Sequence, residues 1–584
     1  MAIGTETRAL KRSALVLALS AGLTAGSAPA IAQQSAAQQA ADVQQRLQEA
    51  PAPLAPQAAA PAPAPLPPGA ADQIVPVTSV ALVDGDGAPL GAEQGLPLSV
   101  MNAAVAPLVG ASPSVADIIR ATDALKARLR EDGYLFTSVS DPMMTPDGEG
   151  GVALTIAVAG AVITEVTVTT RDSSGDQPAM FAALEKLVRP LEGKLNPRLA
   201  DLERASLLAS DIPGVRRATF VPAAGDAPGE LKLFLNVDHA PYDAVLFADN
   251  RQAPSLGPIL GGAIFSLNSW NRYAMTTELA VFNSFGDSDG FDLEERNTVQ
   301  LTQRAIVGEG GTMIEARVLW SASAPGDELS DLGLTSSQVE VSFMAEHPLL
   351  RTRALSFWAA AGAGWDNSVS ELNGGVTLSD DTVAPVFARL RGVQRDSGGY
   401  TSGSVEFRAG MNWLGASKSG DNTLSRTGSS GEFTLVELNF ERSQTLFDRF
   451  SAFGRVNAQF TNDRLLSSQQ IAAGGGLYAK AYDPSEVAGD RGYMVYGELR
   501  YDQETVIQGR ELGMQLYAFA DFAEVRLLDV NAIGQPDLSS AGTGLRLNYA
   551  RTNLELEVAF PIAGPVARNS SYDPRFFFGL TQRF

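Results

Sequence analysis

The sequence predicts two small α/β units followed by a transmembrane antiparallel β-barrel of about 16 strands. Three observations support this fold class. A β-α-α-β-β order occurs twice before residue 240, and an internal repeat of this kind indicates repeated structural units. After that point, helical periodicity gives way to the alternation that is typical of strands. The N-terminus also carries the features of an export signal.

Residues 1–32 have the features of a secretory signal peptide. Basic residues precede the apolar run 14–23, and Ala30 and Ala32 supply the small residues that a signal peptidase reads. The apolar run is too short to span a bilayer as a helix. No later run of about 18 or more apolar residues occurs, so we expect no transmembrane helix.

Two further segments precede the α/β units. Residues 33–50 are rich in Ala and Gln, and their pattern predicts a short, weakly amphipathic helix. Residues 51–72 are mainly Pro and Ala, a composition that favours an extended linker of roughly 3 Å per residue. A disordered N-terminal tail is the alternative interpretation of this composition.

Each α/β unit is predicted to consist of one strand, then two helices, then two further strands. The first unit, residues 73–160, is predicted to have strands at 75–83, 136–142 and 151–159 and helices at 95–108 and after Ser114. Ser114 is expected to cap its helix together with Asp117. The second unit, residues 161–239, repeats this order, with Asn196 as the predicted cap and Pro197 at the first helical position.

Residues 240–584 alternate apolar and polar side chains over many successive segments. For example, Leu554, Leu556 and Val558 alternate with Asn553, Glu555 and Glu557. A soluble sandwich would bury its apolar face, whereas here the other face is densely charged and the segments are long. This pattern is typical of a barrel with lipid outside and a polar lumen inside.

The chain ends in a predicted aromatic strand. Phe576, Phe578, Leu580 and Phe584 share one face of that strand. We interpret them as a C-terminal signal, because the last edge of a barrel must be recognised and paired.

The composition restricts the chemistry that is available. A formal net charge of −22 gives no electrostatic reason to bind nucleic acid. The absence of Cys excludes disulfides and thiolate metal sites. The only histidines are His239 and His347, which leave little material for acid–base catalysis. We therefore predict no catalytic residue, no cofactor and no metal site, and we do not expect an enzyme.

This order of parts resembles the two-partner secretion transporters, the TpsB or haemolysin secretion/activation family of the POTRA-plus-barrel superfamily. The resemblance implies an outer-membrane barrel, two periplasmic POTRA domains, a plug-like helix at 33–50 and a linker at 51–72. Asp132-Gly133-Tyr134 and Asp211–Val215 look like the helix ends of the two POTRA domains. Asp249-Asn250 looks like the opening of the first barrel strand.

The family signature is a long extracellular loop that folds into the lumen and carries Val-Arg-Gly-Tyr or Val-Arg-Gly-Phe. Residues 474–492 match it, with Lys480 in place of the Arg and Ala481 in place of the Gly. In the family, the Arg meets an Asp of a Phe-x-Asp motif on the inner barrel wall. The resemblance therefore implies a loop-to-barrel lock formed by Lys480, Tyr482, Phe519 and Asp521. Lys480 would pair with Asp521 as a point charge without the bidentate fork, and a solvated Lys480 is the alternative.

The resemblance also implies the function and the partners. The chain would secrete an exoprotein of the haemolysin or adhesin type, with an N-terminal secretion domain, by two-partner (type V) secretion. The POTRA domains would capture the unfolded cargo, and outer-membrane lipid and the barrel-assembly machinery are the other expected partners. An outer-membrane assembly or insertion factor with the same architecture is the alternative function. A porin-like channel would leave the POTRA repeat unexplained.

Overall fold

The computed structural model describes residues 36–47, 71–148, 150–170, 180–286, 295–326, 332–373, 375–528, 537–564 and 573–584. The predicted signal peptide and nearly all of the predicted linker lie outside these ranges. The first described element is helix α1, Ala36–Leu47. Within the described ranges, no helix is both long enough and apolar enough to cross a membrane.

The first α/β unit packs two helices on a small sheet. Its elements are β1 Val77–Val83, α2 Leu98–Val105, α3 Val115–Glu131, β2 Ser138–Val139, β3 Met143–Pro146 and β4 Val152–Ala159. Strand β4 is central, parallel to β1 and antiparallel to β2 and β3. The apolar face of α3 covers the sheet, since Ile118 packs with Leu154, and Leu125 with Ile156.

Ser114 caps α3, as the sequence predicts. Its hydroxyl oxygen accepts a hydrogen bond from the Asp117 N–H at 3.2 Å, and its own N–H donates to the Asp117 carboxylate at 3.1 Å. This reciprocal pair is a capping box. The Ser114 hydroxyl and N–H bonds lower the pKa of the Asp117 carboxyl from its ordinary value.

The second unit repeats the same order. Its elements are β5 Val162–Thr170, α4 Phe181–Val188, α5 Leu199–Ser210, β6 Val215–Ala224 and β7 Glu230–His239. Strand β7 is central, parallel to β5 and antiparallel to β6. The predicted β-α-α-β-β order is therefore confirmed, with one additional short strand, β3, in the first unit. After the resemblance described above, we call the two units the first and second POTRA domains.

The predicted helix cap at Asn196 is wrong. Helix α5 begins at Leu199 with Arg198 as its N-cap, and Asn196 precedes it with a φ of 47°. The Asn196 amide instead donates to the Gln94 carbonyl at 2.5 Å and accepts from the Ala161 N–H at 3.2 Å. An Asn side chain tolerates this left-handed backbone, and here a contact between the two POTRA domains uses its amide.

The C-terminal part is a closed antiparallel barrel. Its strands are β8 Tyr242–Asp249, β9 Ile259–Leu267, β10 Thr276–Phe285, β11 Arg296–Val307, β12 Thr312–Ser323, β13 Thr335–Arg351, β14 Leu355–Leu372, β15 Val376–Val383, β16 Pro385–Asp396, β17 Gly399–Gly410, β18 Phe433–Phe447, β19 Phe450–Thr461, β22 Arg491–Ile507, β23 Arg510–Arg526, β24 Leu538–Tyr549, β25 Thr552–Ala563 and β26 Arg575–Arg583. Strands β20 Ile471–Ala473 and β21 Val487–Gly489 form a separate hairpin between β19 and β22.

The barrel has 16 strands, as predicted, because β15 and β16 pair with different parts of β14 and count as one interrupted strand. The apolar side chains of the strands also lie on the face of the barrel that the sequence predicts. On β23, Leu516 is 55% exposed on the outer face, whereas Tyr517 and Phe519 are buried. Apolar residues therefore cover the outside, where lipid would lie, and polar residues line the lumen.

The expectation that Asp249-Asn250 opens the first barrel strand is wrong. Strand β8 begins at Tyr242, which pairs with Leu267 of β9, and it ends at Asp249. The Asp249 carboxylate accepts a hydrogen bond from the Arg251 N–H at 3.0 Å. The acidic residue is therefore used to turn the chain after the strand rather than to start it.

Strand β26 closes the barrel between β25 and β8. We call the junction of β8 and β26 the seam. The four predicted C-terminal signal residues are exposed on the outer face, with exposed fractions of 72% for Phe576, 37% for Phe578, 44% for Leu580 and 53% for Phe584. Their role as an assembly signal stays a prediction.

The second POTRA domain is held against the barrel base. Arg351, the last residue of β13, donates to the Asp211 carboxylate through Nε at 2.8 Å and Nη2 at 2.7 Å. The Ser269 hydroxyl donates to the Pro213 carbonyl at 2.7 Å. The Asp211–Val215 segment, singled out in the sequence as a helix end, is thus also the contact with the barrel.

We expect Asp211→Ala to loosen this contact, because it removes a bidentate, charge-assisted pair that contributes about 2 kcal/mol. Spin labels on α5 and on a barrel turn at the same end of the barrel should show a broader distance distribution in the variant. Asp226→Ala is the matched control, since Asp226 pairs with Lys232 on an exposed surface. Equal broadening in both variants would contradict the assignment.

Candidate functional site

The lumen wall carries paired charges of both signs. Arg389 bonds to Glu406 at 2.7 Å, and Arg391 bonds to Glu346 at 2.6 and 2.7 Å. The cavity has a volume of about 1410 Å³ and is lined by such pairs from several strands. Because neighbouring cations and anions neutralise each other, the wall is polar without a dominant charge.

Helix α1 lies inside this cavity. Its apolar side is buried, with Ala40 and Val43 packed against Phe247 and Phe282 of the barrel. Gln45 reaches the opposite wall and donates to Glu441 at 3.2 Å. The helix therefore spans the lumen between two walls.

The C-terminal end of α1 is tied to the first and last barrel strands. Arg46 pairs with Asp249 of β8 at 2.7 Å. Arg583 of β26 donates to the Leu47 carbonyl at 2.5 Å. Further along the helix, Gln38 donates to the Gln470 carbonyl at 2.9 Å and Gln44 donates to Glu278 at 3.4 Å. Helix α1 is therefore held in the lumen by side-chain hydrogen bonds and one ion pair, without a covalent or strand-type connection to the wall.

A second element enters the lumen between β20 and β21. We call residues 474–486 the inward loop. Its tip residues Ala479, Lys480, Ala481 and Tyr482 are at most 4% exposed. Gly474 makes the entry possible, because it has a φ of 116° and a Cβ there would lie 2.0 Å from the Asp483 carbonyl oxygen.

The structure brings the four predicted lock residues together, but with a different pairing. The Lys480 N–H, not its ammonium, donates to Asp521 at 3.1 Å. The ammonium pairs with Glu557 on β25. The expected Lys480–Asp521 ion pair is therefore wrong. The Asp521 carboxylate already accepts from the Ser540 hydroxyl at 2.6 Å and the Ser540 N–H at 3.0 Å.

Aromatic rings surround the Lys480 ammonium. Its nitrogen lies 4.6 Å from the ring centre of Phe519, 5.4 Å from that of Tyr496 and 5.7 Å from that of Tyr517. A desolvated ammonium over aromatic faces is favourable. The Phe of the Phe-x-Asp motif thus contacts the loop cation directly.

Tyr482 anchors the other side of the loop tip. Its side chain is buried, and its hydroxyl is hydrogen-bonded to the Ser539 carbonyl at 3.1 Å and to the Ala563 carbonyl. Asp483 pairs with Arg575 of β26 at 2.5 Å. The inward loop is therefore attached to the wall strands that lead to the seam.

Sequence reasoning missed three residues of this site. Arg251, only 4% exposed, lies 3.0 Å from Glu557 and 3.4 Å from Glu555. Glu555 and Glu557 were recognised only as the polar face of an alternating strand. Two carboxylates on one lumen-facing side of a strand require cations nearby, and this is the signal that would have found them.

Comparisons with known proteins agree with this architecture. Residues 323–547 match the family model described as haemolysin secretion/activation protein ShlB/FhaC/HecB. The Heme/hemopexin transporter protein HuxB of Haemophilus influenzae is 20% identical over 397 residues, which cover 66% of this chain and 67% of that protein.

Solved structures show the same fold over nearly the whole chain. CdiB from Escherichia coli aligns with a TM-score of 0.72 at 19% identity, covering 96% of this chain and 99% of that one. CdiB from Acinetobacter baumannii aligns with a TM-score of 0.64 at 15% identity and the same coverage of 96% and 99%.

The family match runs from the end of β12 into β24, so it contains the inward loop and the Phe-x-Asp motif. Both features lie where the resemblance placed them, beside two POTRA domains and a 16-stranded barrel. Over residues 323–547 the chain is therefore similar to the haemolysin secretion/activation (ShlB/FhaC/HecB) family, and the comparisons together support a two-partner secretion transporter.

Proposed function

We propose that this protein exports a large, unfolded exoprotein of the haemolysin or adhesin type through its lumen. The way in which the lumen is closed supports this function. Among the described residues two elements fill the lumen, α1 and the inward loop, and neither is a wall strand. Both can leave while the barrel stays intact, and a barrel of this size is wide enough for a channel.

We place the barrel in the bacterial outer membrane, with lipid around it and the POTRA domains in the periplasm. The exposed apolar outer face supports this, including Phe407 at 49% and Phe440 at 50% exposure. The barrel-assembly machinery would insert the chain and recognise its C-terminal aromatic strand. The residues at 33–50 would act as the plug and 51–72 as the linker that lets the plug withdraw.

The first POTRA domain offers an edge for cargo. Strand β3 is exposed along its whole length, and β4 is its only partner among the described strands. Met143, which is 66% exposed, adds an apolar side chain to this edge. An extended cargo segment carrying the N-terminal secretion domain would add as a further strand, with main-chain hydrogen bonds supplying affinity.

The lumen wall suits a polypeptide of mixed charge. Its cations and anions are paired with each other, as in Arg389–Glu406 and Arg455–Glu441. An extended chain of either sign would therefore meet no strong electrostatic barrier. Folding of the exoprotein outside the cell would supply the driving force.

Export is tested by following the exoprotein encoded beside this gene. Strains with the parent gene, a deletion of residues 71–238 and a full knockout are compared. We expect both lesions to leave the exoprotein in the periplasm while other outer-membrane barrels assemble normally. Continued export together with failure of other barrels would replace the proposal with the assembly-factor function.

A further inference from the structure

The seam has short main-chain pairing. The strand register between β26 and β8 runs from Val245↔Arg583 to Asp249↔Gly579. One main-chain hydrogen bond extends it at each end, from the Phe584 N–H to the Ala244 carbonyl at 2.9 Å and from the Asn250 N–H to the Phe578 carbonyl at 3.4 Å. The pairing of β26 with β25 is longer, extending from Thr552↔Gln582 to Ala559↔Arg575. The first part of β26 therefore continues past the end of β8 and needs other partners.

Asn250 supplies one of these partners on the outer side. Its amide donates to the Phe576 carbonyl at 3.0 Å and accepts from the Phe578 N–H at 2.8 Å. The side-chain amide thus bonds to β26 as the main chain of a neighbouring strand would. Polar main-chain groups left open toward lipid would be costly.

Arg251 supplies another partner on the lumen side, where Arg575 of β26 also pairs with Asp483 of the inward loop at 2.5 Å. The Arg251 guanidinium lies 4.5 Å from the ring centre of Phe577 on β26 and continues to Glu555 and Glu557 on β25. The Arg251 side chain therefore runs across the lumen-facing side of β26. It joins the segment after the first strand to the penultimate strand.

Glu557 divides its two carboxylate oxygens between two elements. Oε1 accepts from Arg251 at 3.0 Å, and Oε2 accepts from the Lys480 ammonium. The Tyr517 hydroxyl also lies 2.7 Å from Oε2. Withdrawal of the inward loop removes Lys480 from Oε2 of Glu557. Oε1 then still accepts from Arg251, and Oε2 keeps the Tyr517 hydroxyl as a neighbour.

We propose that Arg251 is a positioning residue that keeps the seam closed independently of the inward loop. When the loop and Lys480 withdraw for export, the Arg251–Glu557 and Arg251–Glu555 bonds remain. The cargo is then confined to the lumen instead of escaping sideways into the bilayer. This inference rests on the proposed export function but is tested without any cargo.

The test uses the natural absence of Cys in this chain. Cysteines replace Leu246 and Gln582, which are direct partners across the seam and close enough for a disulfide when the strands are paired. Disulfide yield in outer-membrane vesicles then measures seam closure. In a separate background, maleimide labelling of Ala481→Cys measures loop release, because Ala481 is 0% exposed.

We expect Lys480→Met to raise loop labelling at least several-fold and to leave seam trapping at the parent level. Arg251→Met should lower the disulfide yield at the seam several-fold, both alone and in combination with Lys480→Met. Arg251→Lys should give a yield between those of Arg251→Met and the parent protein. Arg389→Met is the matched control, since it removes a lumen guanidinium away from the seam. Heat-modifiable migration on gels confirms that each barrel has folded.

Two results would overturn the proposal. If Lys480→Met lowers seam trapping as much as Arg251→Met does, the loop and the seam form one unit and Arg251 has no independent role. If Arg251→Met leaves trapping unchanged in a folded barrel, the main-chain pairs and Asn250 alone close the seam. If both seam results are as expected but the parent protein exports no cargo, only the export function is refuted.

Discussion

Glu557→Gln is expected to release the inward loop and to speed trypsin cleavage after Lys480 about 100-fold, because cleavage follows the open population. Glu557 neutralises two buried cations, Lys480 and Arg251, each 4% exposed. Removing one partner of a buried ion pair costs about 3–5 kcal/mol. When the loop leaves the lumen, Lys480 becomes hydrated again and part of this cost is relieved. The open state of the loop is therefore favoured.

The cleavage product identifies the site, since Lys480 lies at the tip of the loop and the parent protein buries it. Glu346→Gln is the control, because it breaks the bidentate pair with Arg391 on another part of the wall. Similar cleavage in both variants would show that general loosening of the barrel exposes Lys480. Resistance of Glu557→Gln would show that Asp521, Tyr482 and the aromatic rings hold the loop without the ion pair.

Deletion of residues 33–50 is expected to give the largest change in pore conductance. Helix α1 crosses the cavity between the wall around Phe247 and the wall at Glu441. Its removal opens that space to water and ions while all barrel strands remain. In planar lipid bilayers, we expect single-channel conductance to increase several-fold over the parent protein.

A milder variant weakens the attachment of α1 to the wall but keeps the helix in the chain. Arg46→Ala removes the ion pair with Asp249 and leaves the helix sequence otherwise intact. We expect intermittent openings to the conductance of the deletion variant rather than a permanent change. Identical conductance in the parent and in the deletion variant would show that the inward loop alone closes the pore.

The barrel could be predicted from the sequence because lipid and lumen impose a period of two residues on every strand. Leu554, Leu556 and Val558 alternate with polar residues whatever their partners are. The POTRA domains could be predicted for a related reason, since the apolar face of α3 and the cap at Ser114 are local signals. The closing aromatic strand was likewise visible in the sequence.

The pairing inside the site could not be predicted, because it depends on contacts between residues far apart in the chain. Lys480 and Asp521 do meet, but through the main chain, and the ammonium bonds to Glu557 on a different strand. Arg251 reaches across β26 to the same carboxylate. Nothing in the local pattern around any of these residues specifies the partner.

Passage of a polypeptide through the lumen is the step on which the proposed export depends. Photo-crosslinking residues are placed at Ser404 and Val405, neighbours on β17 that face opposite sides: Ser404 lines the cavity, and Val405 is 48% exposed on the outer face. Leu580 provides a third position, on the outer face of the seam. An exoprotein with a tightly folded C-terminal fusion stalls export. We expect it to crosslink to Ser404 alone, whereas crosslinks at Leu580 without Ser404 would contradict passage through the lumen and indicate insertion through the seam.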